Sequence, residues 1–274
     1  MDPLRQHYAH GRLTQAILGA LAAAGKDPDR LVPADLAPVD EFHLGGRPAT
    51  IDLAGQMALD PDLPLLDIGC GLGGAARYFA AERGCRVTGI DLTEEYVQVA
   101  ADLARRVALA DRVSFVQGSA LALPFAAASF GAATMLHVGM NVADKGRLFA
   151  EVRRVLRTGA MFGVYDVMRE ADGPLTYPMP WASTADTSFL ATADAYGRLL
   201  AQAGFQLVSR RSRRDLALAG FATLRARAAR GQDAAPPLGL HIVMGAAAGR
   251  KMANLADQIE RGLLAPTEIV CRAM

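Results

Sequence analysis

The chain has 274 residues, 51% of them hydrophobic, which is enough for a large core in one domain with elaborations. Its 29 basic and 28 acidic residues leave a formal net charge of +1, so no field favours nucleic acid, and the arginines at 210–214 form only a short cluster. Cys70, Cys85 and Cys271 are too few and too scattered for a disulfide framework and make no CxxC pair, so a cytoplasmic protein without a bound metal is expected.

Taken in chain order, residues 11–24 are apolar at helical spacing through Leu13, Ile17 and Leu21, which favours an amphipathic helix over a secretion signal. A Pro- and Asp-rich segment then leads to the Phe42-His43-Leu44-Gly45-Gly46 run and a second helix near 49–58. Residues 1–58 are too short to own a core, so they read as a helical cap on a core of residues 59–274. From 65 to 166 short apolar runs alternate with Ala- and Leu-rich segments, the rhythm of βα units. Strands are expected at 64–68, 86–91, 113–117, 132–136 and 161–166, and helices at 74–81, 94–108 and 146–156. Pro174, Pro178 and Pro180 mark residues 171–190 as an ordered loop, and a long loop there reads as a lid. A helix near 192–203, a strand at 205–209, helical segments to about 263 and a strand at 267–272 complete a doubly wound, mostly parallel α/β fold. No apolar run is long enough to span a bilayer.

The informative stretch runs from Leu65 to Gly74, an apolar strand entering glycines and then a helix, so a ligand can approach the backbone and meet free N–H groups. Gly69, Gly71 and Gly74 also satisfy the dinucleotide fingerprint, with Asp91 about 20 residues further on for a ribose. Asp67 separates the two readings. Beside a pyrophosphate it would suffer like-charge repulsion, whereas the methionine part of S-adenosylmethionine (SAM) carries an ammonium it can pair with.

Over residues 50–210 the chain resembles the class I SAM-dependent methyltransferases. The resemblance lies in DIGCGLGG from Asp67 to Gly74, GIDLT from Gly89 to Thr93, GSALALPF from Gly118 to Phe125 and FAEVRRVLRTG from Phe149 to Gly159. It implies a seven-stranded Rossmann-like sheet and SAM as cofactor, held by Asp67, Gly69, Cys70, Gly71, Gly73, Asp91, Leu92, Ser119, Ala120 and His137. The family commonly has Asp where Ser119 stands, so here a hydroxyl would meet the adenine amino group. The segments from Phe42 to Gly46 and from Met140 to Lys145 look like the enzymes that methylate small amines, such as sarcosine or dimethylglycine methyltransferases, and the related tocopherol or quinol methyltransferases.

Methyl transfer is an in-line displacement that needs donor and acceptor held close with water excluded. The ends of the fourth and fifth strands lie where open α/β sheets bind ligands, which nominates His137, Tyr165 and Asp166 for catalysis. His137 can serve as base or orienting group. Tyr8, His43, Met140, Asn141 and Trp181 are candidates for the acceptor site, Trp181 through its aromatic face. The expected reaction is methyl transfer to a small-molecule amine, with an aromatic or quinol oxygen or carbon as the alternative acceptor. An NAD-dependent oxidoreductase and a non-catalytic SAM-binding module are the competing readings. The partner is a small molecule, not nucleic acid or a membrane, and a homodimer is the candidate assembly.

Overall fold

The computed structural model describes residues 12–230 and 237–274. Seven strands form one sheet: β1 (Pro64–Ile68), β2 (Arg86–Asp91), β3 (Val113–Gln117), β4 (Phe130–Leu136), β5 (Leu156–Arg169), β6 (Phe205–Ser212) and β7 (Leu264–Ala273). Their order is β3-β2-β1-β4-β5-β7-β6. All neighbours from β3 to β5 are parallel, and β7 runs antiparallel between β5 and β6. The order reverses between β1 and β4, and a crevice opens at the carboxyl ends of strands at such a point.

Local sequence explains the elements that shape this crevice. β1 is buried from Leu65 through Ile68 because helices cover both faces of a parallel sheet. It enters α4 (Gly74–Arg83) through a turn in which Gly69, Gly71 and Gly73 all have positive φ. In α5 (Glu94–Arg106) the buried Tyr96, Val99, Ala100, Leu103 and Ala104 recur at helical spacing. Glu94 and Glu95 open that helix and Arg105 and Arg106 close it, the charge order that suits its dipole.

The N-terminal helices α1 (Leu13–Ala23), α2 (Pro33–Asp40) and α3 (Gly46–Gly55) pack on the core. Leu13, Ile17, Leu21, Leu36 and Val39 share one apolar cluster with Leu72, Tyr96, Val99 and Leu103. α2 forms within the Pro- and Asp-rich segment, where no helix was expected. Pro33 occupies its first turn, where a missing N–H costs nothing, Asp35 accepts a hydrogen bond from Val32 N–H at 3.0 Å, and Leu36 and Val39 are buried. α2 and α4 are joined by a buried ion pair, Arg77 donating to Asp40 at 2.5 Å. The same guanidinium donates to the carbonyls of Leu72 and Ala100. Gly74 permits that approach, since a Cβ there would collide with the Asp40 carbonyl.

α6 (Lys145–Val155) and α7 (Ala193–Gln202) flank β5, while α8 (Arg214–Ala229), α9 (His241–Met244) and α10 (Ala248–Glu260) lie before β7. Residues 171–190 are irregular apart from one 3-10 turn at Ala185–Thr187. β5 and β7 are longer than expected because they pair over nine residues, from Met161 with Arg272 to Arg169 with Leu264. Among the described residues no helix is long and apolar enough to cross a membrane.

Candidate active site

A chamber of about 460 Å³ opens at the carboxyl ends of β1, β2 and β4, a volume suited to a small ligand or cofactor. Its wall carries Asp67, Gly69, Cys70, Gly71, Asp91, Leu92, Ser119, Ala120, His137 and Asn141. Asp40, Glu41 and His43 enter from the N-terminal segment, and Asp186, Thr187 and Phe189 from the 171–190 loop. No Lys or Arg lines it among the described residues.

Asp67 ends β1 and is 2% exposed. Thr134 of β4 donates to its Oδ1 at 2.9 Å, while Oδ2 is buried with no hydrogen-bond partner among the described residues. Burial pushes the carboxyl up to about 7, with Glu41 and Asp91 adding like-charge repulsion. Asp91 accepts from Gly71 N–H at 3.0 Å and Thr93 N–H at 2.9 Å, so the end of β2 is tied to the glycine turn. A Cβ on Gly71 would meet no atom of a non-neighbouring residue within 4 Å among the described residues, whereas one on Gly69 would strike Val138. Gly71 therefore leaves backbone bare towards the chamber, and Gly69 packs the turn against the segment after β4. Gly73 does not line the chamber; it faces Phe115 and Arg77. Ser119 Oγ accepts from Leu121 N–H at 3.2 Å, which leaves its own proton to donate.

Glu41 was not singled out from the sequence. It is 3% exposed, accepts from Thr50 Oγ1 at 2.8 Å through Oε2, and has a buried Oε1 without a partner among the described residues. Burial raises its carboxyl. Its only sequence signal is its place in Asp40-Glu41-Phe42-His43, beside an acid that is consumed by Arg77.

His137 follows β4 with φ 55° and donates its backbone N–H to the Tyr165 carbonyl at 2.6 Å. Its Nε2 is buried and has no partner among the described residues. Burial, and His43 beside it, hold the imidazole well below its ordinary pKa, so the ring is neutral. The His43 and His137 ring centroids are 5.8 Å apart, and burial pushes His43 down to about 4. His43 Nε2 lies 3.1 Å from both the Gly46 carbonyl and Thr50 Oγ1.

Two candidates for catalysis do not reach the chamber. Tyr165 is fully buried with its hydroxyl unpartnered among the described residues, and its ring lies 5.0 Å from that of His137. Asp166 is fully buried and turned onto backbone: it accepts from Val138 and Gly139 N–H groups and from Tyr196 Oη at 2.8, 3.0 and 2.9 Å. Burial pushes it up to about 7. Asp166 thus anchors the turn that follows His137. The pleat sends the two side chains to opposite faces of the sheet: Tyr165 packs in the apolar cluster with Leu53 and Met57, and Asp166 turns onto the segment after β4. Met140 and Trp181 lie in a smaller alcove, which His43 and His137 also line. Tyr8 lies outside the described residues.

Strand order, the glycine turn and the acid closing β2 together define a doubly wound α/β protein of the nucleoside-binding type. Residues 66–164 match the family model described as a methyltransferase domain. The chain is 36% identical to a sterol 24-C-methyltransferase, ERG6B, of Gibberella zeae over 114 residues, 42% of this chain and 30% of that one. It is 29% identical to the methyltransferase GfsG of Streptomyces halstedii over 177 residues, 64% of each chain. The chain therefore spans from about a third to under two thirds of these relatives. In fold it is similar to the [4+2]-cyclase SpnF, with a TM-score of 0.70 at 22% identity over 99% of this chain and 97% of that one. Residues 66–164 thus form a methyltransferase domain, in the class I, SAM-dependent fold. A likeness to a protein named as a cyclase means that the fold does not by itself settle the reaction.

Proposed function

We propose that the protein transfers the methyl group of SAM to a small-molecule acceptor. The observation that carries this reading is the buried, unpartnered Oδ2 of Asp67 on a chamber wall with Glu41, Asp91 and Asp186 and no cationic side chain among the described residues. An uncompensated buried carboxylate is expensive and calls for a cation. SAM brings an ammonium and a sulfonium against one carboxylate, a net charge of +1. The pyrophosphate of NAD would place negative charge against the same acids, which argues against the oxidoreductase reading.

In this reading Asp67 pairs with the SAM ammonium. Asp91, already fixed by two backbone N–H groups, has lone pairs left for the ribose hydroxyls. Gly69, Cys70 and Gly71 would hold the backbone side of the cofactor, and Leu92, Ser119 and Ala120 its adenine. His137 stands where the methyl group would be presented. The chain's part in the chemistry is to orient donor and acceptor, exclude water and, at His137, hold a proton. An amine acceptor is favoured by the carboxylates Glu41 and Asp186 on the wall, and an oxygen acceptor by the neutral imidazole of His137.

Calorimetric titration with SAM, S-adenosylhomocysteine (SAH) and NAD tests the cofactor. Binding of the first two and not the third is expected, and binding of NAD alone would overturn the reading. Incubation with methyl-labelled SAM and pooled small-molecule acceptors then separates an enzyme from a SAM-binding module, because only turnover yields SAH and labelled product.

A further inference from the structure

Beyond the paired histidines the chamber continues into an alcove of about 50 Å³ between the 171–190 loop and α10. One water needs about 10 to 15 Å³ on such a measure, so the alcove takes one arm of an acceptor whose remainder lies at the neck and in the chamber. Its wall is apolar: Phe42, Leu44, Met140, Trp181, Met252 and Leu255 are its principal members, and it carries no carboxylate, ammonium or guanidinium among the described residues. Met140 and Met252 are unbranched and polarisable, so the wall can adapt to a ring or alkyl arm. The indole N–H of Trp181 is engaged, donating to Ser188 Oγ at 3.0 Å, so the residue offers the alcove carbon rather than a donor.

We propose that this alcove is the acceptor site, and that it takes an uncharged, apolar molecule presenting a hydroxyl group to Nε2 of His137. The proposal rests on the cofactor assignment above and adds the acceptor class to it. Three observations carry it. His43 and His137 line both spaces, so they mark the neck where donor and acceptor would meet. His43 Nε2 already has Gly46 and Thr50 as partners, whereas the buried Nε2 of His137 has none among the described residues, so the open position is on His137. The carboxylates lie on the chamber side, where the cationic cofactor matches them, and the alcove has no anion to receive an alkylammonium ion, which an aliphatic amine is at neutral pH.

The step balances with no further reactant. The acceptor oxygen forms a bond to the methyl carbon as the bond from that carbon to sulfur breaks, its electron pair staying on sulfur. The hydroxyl proton passes to His137 Nε2, and the imidazolium releases it to solvent when the products leave. A methyl ether and SAH result. Burial lowers the His137 pKa, so the ring is unprotonated before the transfer and gives the proton up readily afterwards.

Trp181 is the only tryptophan in the sequence, so the alcove carries its own fluorophore. The protein, loaded with SAH, is titrated with 4-bromobenzyl alcohol and with 4-bromobenzylamine, quenchers of the same shape that differ in charge. The alcohol is expected to quench saturably, with the ammonium binding at least about tenfold more weakly. Met252→Phe, which fills the alcove from a half-buried position, is expected to weaken the alcohol about tenfold and leave SAH affinity unchanged. With methyl-labelled SAM and 4-bromophenol, His137→Gln is expected to lower labelled ether at least about a hundredfold while the quench persists. Failure of the wild-type protein to bind SAH would overturn the cofactor reading and this one with it. SAH binding with equal or stronger quenching by the ammonium, or with no saturable quenching by the alcohol, would overturn the acceptor proposal alone.

Discussion

Replacing Asp67 by Asn tests the site through stability as well as binding. The folded-state pKa of Asp67 is raised from 3.8 to about 7, chiefly by burial. A raised acid favours the folded state when protonated: its contribution is complete below the unfolded value and is lost as pH rises through about 7. Each unit corresponds to about 1.4 kcal/mol, so burying Asp67 costs the ligand-free protein about 4 kcal/mol at pH 8, where it is ionised, and about 2 kcal/mol at pH 5, where folding must protonate it. Asparagine keeps the acceptor that Thr134 uses and removes the charge. Asp67→Asn should therefore raise the melting temperature at pH 8 by at least about 5 °C, with a smaller gain at pH 5. It should also reduce SAM affinity at least about a hundredfold, since the ammonium loses a buried partner. Thermal melts at the two pH values and calorimetry with SAM provide the readings. A variant no more stable than wild type at pH 8, or one that binds SAM within about twofold of wild type, would refute the argument.

Other perturbations follow from the same geometry. Arg77→Leu leaves Asp40 buried without its cation and should cost about 3 to 5 kcal/mol in urea unfolding; a loss below about 1 kcal/mol would show that α2 does not depend on the pair. Tyr165→Phe removes a buried hydroxyl without a partner among the described residues, so stability should hold or rise by about 1 kcal/mol and turnover should stay within about twofold. A tenfold loss of turnover would restore that hydroxyl to the chemistry. Asp166→Ala strips three donors of their acceptor and should cost about 3 kcal/mol or more, while lowering methyl transfer more than SAM affinity because the turn after His137 moves. Equal losses in both readings would show that the turn positions the cofactor rather than His137.

The parallel half of the sheet and the glycine turn were legible because their signals are local. An apolar run, glycines that accept positive φ, a helix start and an acid two strands' length further on lie within 25 residues, from Asp67 to Asp91. Period-3.6 burial in α5 and the Asp144 cap before α6, which accepts from Arg147 N–H at 2.9 Å, are local in the same way. α2 was harder to read because its two prolines resemble loop punctuation. One sits at the helix start, and the helix is held by the Asp40 to Arg77 pair across 37 residues.

The direction in which side chains point was decided by tertiary packing. Composition and motif order determined the fold class, the chamber's place at the strand ends and the acids able to face a cofactor. They could not distinguish His137, whose left-handed backbone puts its ring at the neck, from Tyr165 and Asp166, which sit at the same height but turn into the protein. Nor could they show that Glu41 is brought beside Asp67, or that Trp181 is carried by its loop onto α10 to close the alcove. A pattern along one segment reports what that segment can bury. Whether a polar atom ends with a partner or without one depends on segments far away in the chain, and the sites proposed for chemistry here rest on atoms left without one.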